Sequence, residues 1–170
     1  MTIHNEHPFL PDPEDRDEAR RFRGRLASPV TIVTSGSGEA RTALTVSSLM
    51  VVEGDQPQIL MVVGPNSDLW DVAADTGRLI VHICRSVDTA KADIFAGLRP
   101  NPGGIFAGSD VSNSEWGPVL TDLADRAYCS LVDRTEMGYS GLFTATIDEL
   151  ELTSLGHPLV YFRGRYRELA

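Results

Sequence analysis

The apolar residues of this chain come in short, β-branched runs rather than in long helical stripes. Val30-Thr31-Ile32-Val33-Thr34, Ile59-Leu60-Met61-Val62-Val63 and Leu79-Ile80-Val81-His82-Ile83-Cys84 have strand length, with turn or capping residues behind them. Arg41 to Ser48, Ala127 to Arg134, Leu142 to Leu152 and Leu159 to Tyr166 read the same way. Ser35-Gly36-Ser37-Gly38 and Gly54-Asp55-Gln56-Pro57 are turns. About seven strands with three short helices and no regular βαβ alternation predict a mainly β fold, a closed antiparallel barrel with peripheral helices. A Rossmann sheet is excluded by the same pattern.

The helices are read from their ends. Asp12-Pro13-Glu14-Asp15 opens one, with acids at its positive pole and Arg20, Arg21, Arg23 and Arg25 at the other. Its apolar stripe, Ala19, Phe22 and Leu26, is expected to dock on the body. Ser67 caps a second helix stopped by Gly77, and Ser86 caps a third that runs to Phe95 and ends at Gly97. Residues 1–12 read as a flexible tail and 13–170 as one domain. The irregular stretch from Leu98 to Pro118 is long enough to be functional or mobile.

Composition narrows the function. With 15 Lys+Arg against 24 Asp+Glu, the net charge of -9 disfavours phosphate-backbone binding, so no nucleic-acid partner is expected. No apolar run approaches the roughly 20 residues of a membrane span. Nothing at the N-terminus reads as a signal peptide, which makes the cytoplasm the expected location. Cys84 and Cys129 stand far apart in apolar segments and read as buried thiols. There is no GxSxG, no HExxH and no set of metal ligands, so no metal is expected. What remains is an anion site: hydroxyls on Thr42, Thr45, Ser47 and Ser48, and Asn66-Ser67 at a helix mouth. The competing reading is that Ser67 only caps its helix.

Several segments, in order, resemble the flavin reductase-like family with its FMN-binding split β-barrel. They are Pro29 to Thr34, Ala43-Leu44-Thr45-Val46-Ser47-Ser48-Leu49, Gln56-Pro57, Ser67 with Trp70, and Leu79 to Ile83. Asp93-Ile94-Phe95-Ala96, Gly117-Pro118-Val119-Leu120, Ala127-Tyr128-Cys129 and Pro158 to Tyr166 complete the series. The resemblance implies a homodimeric NAD(P)H-dependent flavin reductase that binds FMN or FAD and passes hydride from NADH or NADPH to flavin N5. Such proteins often supply reduced flavin to a separate monooxygenase.

Matched by position, the resemblance runs Arg41, Thr42, Ala43, Leu44 and Thr45 along the flavin and its ribityl chain. Ser47 and Ser48 contact it through hydroxyl or backbone N–H. Val62, Val63, Asn66 and Ser67 hold the phosphate side, and Phe95 and Ala96 close over the cofactor. Because Pro65 and Asp68 flank Asn66-Ser67, positive charge has to come from Arg41, Arg85 or Arg99. On the nicotinamide side Gly138-Tyr139-Ser140 stands where many members have Gly-Asp-His. That difference favours the alternative of a flavin-binding module or electron carrier with little nicotinamide turnover.

Overall fold

The computed structural model describes residues 18–154 and 156–169. The expected start of the first helix at Asp12-Pro13 lies outside the described residues. Seven strands form the main sheet: β2 (Thr31–Ser35), β3 (Thr42–Val46), β4 (Leu49–Val52), β5 (Gln58–Val63), β6 (Arg78–Ile83), β9 (Arg126–Met137) and β10 (Ser140–Glu151). Their order is β3-β2-β6-β9-β10-β5-β4, and every pairing is antiparallel. The two edge strands are consecutive in sequence. The ring therefore meets at the Ser47-Ser48 bend instead of along a ladder, held there by the Val62 N–H donating to the Ser48 carbonyl at 2.9 Å.

The closed barrel expected from the strand pattern is thus the split barrel that the resemblance implies. The expected Arg41 to Ser48 strand is β3, which stops at Val46; β4, not expected from the sequence, begins at Leu49 after a Ser47-Ser48 bend that has no Gly or Pro to mark it. Two smaller sheets complete the fold: β1 (Ser28–Pro29), β11 (Leu159–Phe162) and β12 (Arg165–Glu168) in one, and the hairpin of β7 (Val111–Ser114) with β8 (Gly117–Leu120) in the other.

Inside the curl, Val33, Met61, Leu79, Cys129 and Phe143 form the first core cluster. Helix α2 (Asp68–Thr76) plugs one end of it with Leu69, Trp70 and Ala73. Trp70 stacks on Phe143 with ring centroids 4.9 Å apart and planes within 3°. Gly141 makes that stack possible, since a Cβ there would lie 2.2 Å from the indole. As expected, Gly77 ends α2 in the left-handed region at φ 67, its N–H donating to the Ala73 carbonyl at 2.9 Å.

Outside the sheet, helix α3 (Thr89–Phe95) and β11 enclose the second cluster, which includes Ile32, Ala43, Phe95, Phe106 and Leu159. The cap of this helical segment is not Ser86. The Asp88 carboxylate accepts from the Arg85 N–H at 2.8 Å and from the Arg85 guanidinium at 3.0 Å, closing the turn before α3. The long segment after α3 is also better organised than its glycines suggest. Asn101 Nδ2 donates to the Gly104 and Ala107 carbonyls, both at 2.9 Å, Phe106 is buried edge-on against Phe95, and β7–β8 follows.

Helix α1 (Glu18–Arg23) departs from expectation in another way. Ala19, Phe22 and Leu26 do not dock: Phe22 is 66% exposed and Leu26 52%. The described helix is only six residues long, too short to lay a stripe along the body.

His82 is buried beneath β8, where the Leu120 N–H donates to its Nε2 at 3.1 Å. Nδ1 therefore carries the proton and donates to the Ile32 carbonyl at 3.1 Å. Burial lowers the pKa of the ring to about 4 from an ordinary value of 6.5. The unfolded chain then binds the extra proton first, so stability is full above pH 6.5 and falls as pH drops towards 4. The expected loss over that window approaches about 3 kcal/mol. Urea titrations across the window check it; a His82→Asn protein should lack this part of the slope. Cys84 and Cys129 are buried free thiols, each raised by burial to about 12 and so unreactive at neutral pH.

Candidate functional site

Strand β3 enters the sheet beside the start of α2, and the two leave a cleft of about 250 Å³ between them. Glu39, Ala40, Arg41, Thr42, Asp68, Asp71 and Val72 line it. Arg41 is the only cation in that lining, and its guanidinium also lies 4.8 Å over the Phe106 ring. One arginine thus bridges the cleft and the second core cluster.

Alternation along β3 and β5 sorts the expected contact residues. Ala43 is buried against the second cluster, and Leu44 packs half-buried on the first. The Thr45 hydroxyl is occupied, donating to the Ala92 carbonyl at 2.7 Å and tying β3 to α3. Ser47 and Ser48 are half-buried at the seam. Val63 points into the interior while Val62, 40% exposed, points out.

Ser67 stands at the N-terminus of α2 but does not cap it through its side chain. Its hydroxyl donates to the Gly64 carbonyl at 2.7 Å, closing the Gly64 to Ser67 turn. Asn66 is exposed on that turn. Phe95 is itself core, leaving half-buried Ala96 nearer the surface.

Of the three candidate arginines, only Arg41 lines the cleft. Arg85 is held by Asp88 and donates to the Asp122 carbonyl at 3.0 Å. Arg99 is exposed on the loop after α3. Glu39, Asp71, Val72 and Phe106 were not expected at this place. Asp71 follows Asp68 by one helical turn, which is the one sequence signal that could have found it.

Gly138-Tyr139-Ser140 forms the tip of the β9–β10 hairpin. Gly138 takes φ 59 at the first central position of a two-residue turn, which suits glycine. Tyr139 is fully exposed. In the β10–β5 ladder Gly141 pairs with Val63, so the tip projects beside the Gly64 to Ser67 turn. Arg134, on the other arm, donates to the Trp70 carbonyl at 3.1 Å and covers the indole at 5.2 Å. The expected nicotinamide-side residues and the expected phosphate turn are therefore neighbours in the fold.

The model of the flavin reductase like domain matches residues 23–170. This chain belongs to the flavin reductase-like family. Within it, the NADH-dependent FMN reductase AsuE2 of Streptomyces nodosus subsp. asukaensis is 33% identical over 167 residues, 91% of this chain and 85% of that one. The reductase component of the 4-nitrophenol 4-monooxygenase/4-nitrocatechol 2-monooxygenase of Rhodococcus opacus is 28% identical, over 91% of this chain and 81% of its own. Among solved structures, the Streptomyces globisporus C-1027 NADH:FAD oxidoreductase SgcE6 superposes with TM-score 0.81 at 22% identity, covering 97% of this chain and 99% of that one. Flavin reductase PheA2 gives 0.79 at 23%, over 91% and 99%. These two likenesses establish that the split barrel is the family fold.

Proposed function

We propose that this chain is an NADH- or NADPH-dependent flavin reductase that binds FMN, or FAD, between β3 and the start of α2. The observation that carries the reading is its 33% identity, along nearly its whole length, to an NADH-dependent FMN reductase. Within the cleft the anionic end of the cofactor falls to Arg41, the one cation of a lining that also holds Thr42 and the carboxylates of Glu39, Asp68 and Asp71. When bound, the flavin supplies the hydride acceptor at N5, so the chain needs no side chain of unusual pKa in the cleft. Its own residues position the ring and exclude water, with Phe95 and Phe106 stiffening the wall behind Arg41.

The reading includes a homodimer. Edge strand β4 exposes Met50, Val51 and Val52, and Val62 is exposed on β5 beside it. Cross-strand register puts Met50 opposite Leu60 and Val62 opposite Leu142 on one outward face. An unpaired apolar edge of this kind is an aggregation liability unless a second copy covers it. We expect Met50→Asp with Val62→Asp to convert a dimer into monomers by light scattering, with FMN binding lost alongside. Monomers of the parent chain that bind FMN would refute the shared site.

Oxidation of NADH and NADPH with added FMN or FAD tests the activity directly. Steady turnover is expected, and the reduced flavin would serve an oxygenase of the kind that the Rhodococcus relative accompanies. A protein that holds FMN, is reduced by dithionite and leaves both nicotinamides untouched would instead be an electron carrier.

A further inference from the structure

Residues 20–25 and 163–167 hold seven of the chain's 15 basic residues and none of its 24 acidic ones. The fold brings these distant segments to one corner. The Arg163 N–H donates to the Gly24 carbonyl at 3.0 Å, fastening the end of α1 to the β11–β12 turn. On β12, Arg165 and Arg167 alternate with Tyr166, which packs inward and edge-on to Tyr161 with centroids 5.8 Å apart. Arg21, Arg23, Arg25, Arg163, Arg165 and Arg167 are all exposed, and among the described residues none of the six forms an ion pair.

Two further features mark this corner. The undocked Phe22 and Leu26 stand among the arginines with most of Phe22 and half of Leu26 left exposed. Arg163 also sits in the left-handed region at φ 51, followed by Gly164 at φ 77, in a two-residue hairpin turn closed by Phe162 and Arg165. Asn or Gly suits that first position better than an arginine does. The turn thus carries strain and places a guanidinium at its tip, 5.4 Å from the Phe162 ring.

We infer that this corner is a docking surface for a partner protein that presents an acidic face. Exposed aromatic and arginine side chains are the usual anchors of protein interfaces. The rest of the chain carries eight basic residues against 24 acidic ones, so an acidic partner is repelled elsewhere and steered here. A phosphate backbone would use the guanidiniums but leave Phe22 and Leu26 wet, whereas a protein face covers both. This surface lies outside the β3–α2 cleft and does not depend on what the cleft binds.

The test is fluorescence anisotropy on the full-length protein. The probes are a labelled glutamate-rich peptide containing leucines, a single-stranded oligonucleotide of equal charge, and phosphatidylserine vesicles. We expect the peptide to bind best and to weaken with salt. Arg165→Glu with Arg167→Glu should lower its affinity about tenfold or more, and Phe22→Ser should lower it less. Arg163→Asn should raise Tm while weakening binding, a split that a purely structural turn residue would not produce. All these variants should keep the parent's NADH oxidation with FMN. Absence of peptide binding, tighter binding to the oligonucleotide or the vesicles, or indifference to the double reversal would each overturn the proposal. A parent protein that oxidises no nicotinamide would sink the reductase reading while leaving the anisotropy result to decide this one.

Discussion

Trp70→Ala should destabilise the protein by about 3–5 kcal/mol, enough to leave a substantial unfolded fraction in a domain of this size. The indole is only 7% exposed and is packed on three sides. It stacks on Phe143, lies on the bare backbone of Gly141, sits under the Arg134 guanidinium, and carries α2 across the open end of the curl. Removing it leaves a cavity that the helix cannot fill, because Leu69 and Ala73 are already packed. Urea denaturation measures the loss, and near-ultraviolet circular dichroism should show the stacked pair disappear. A change below about 1 kcal/mol would mean that α2 is not held by this plug. Gly141→Ala approaches the same site from the opposite side and should also destabilise the protein, since its new methyl enters the ring's volume.

Arg41→Ala should weaken FMN binding by about 10–100-fold, the range for losing a hydrogen bond to a charged group. Neighbouring cations do not replace it. Arg85 is tied to Asp88, and Arg134 lies 3.8 Å from Asp71, a carboxylate in the cleft lining. Glu39, Asp68 and Asp71 remain in the cleft and repel a phosphate once the guanidinium is gone. Arg41→Lys should recover part of the loss, because it keeps the charge but not the planar stack on Phe106. Isothermal titration with FMN measures the effect, and Arg78→Ala serves as a control because Arg78 pairs with Glu115 outside the cleft. An Arg41→Ala protein that binds FMN as tightly as the parent would remove the anion anchor from this place.

Local periodicity made the strands legible. The runs around Ile32, Met61 and Val81 lie where their composition put them, because β-branched residues with flanking turns leave few alternatives. Gly77 likewise ends α2 for a reason visible in the chain. The seam was not legible, since Ser47-Ser48 bends only because Leu49 to Val52 pair with β5. The exposed stripe of α1 misled because amphipathicity reports a face that wants cover without saying what covers it.

In the site, ordered motifs located β3 and the turn before α2. Side-chain commitments were invisible: a serine at a helix start reads as a cap, yet Ser67 bonds Gly64, and Arg85 looks available until Asp88 is found beside it. Phe106 gave no local signal, as it reaches Arg41 from 65 positions away in sequence.

The meeting of β3 and β4 at a two-residue bend also bears on the order in which the chain folds. The β2–β3, β4–β5 and β9–β10 hairpins are local and can form early. The β10–β5 ladder, which pairs Gly141 with Val63, has to bridge 78 positions of a 170-residue chain. Loop-closure entropy is therefore concentrated in one late step that brings two preformed hairpins edge to edge. Folding should be slow for a chain of this length, and its rate should respond most to substitutions along Val62, Leu60 and Thr144.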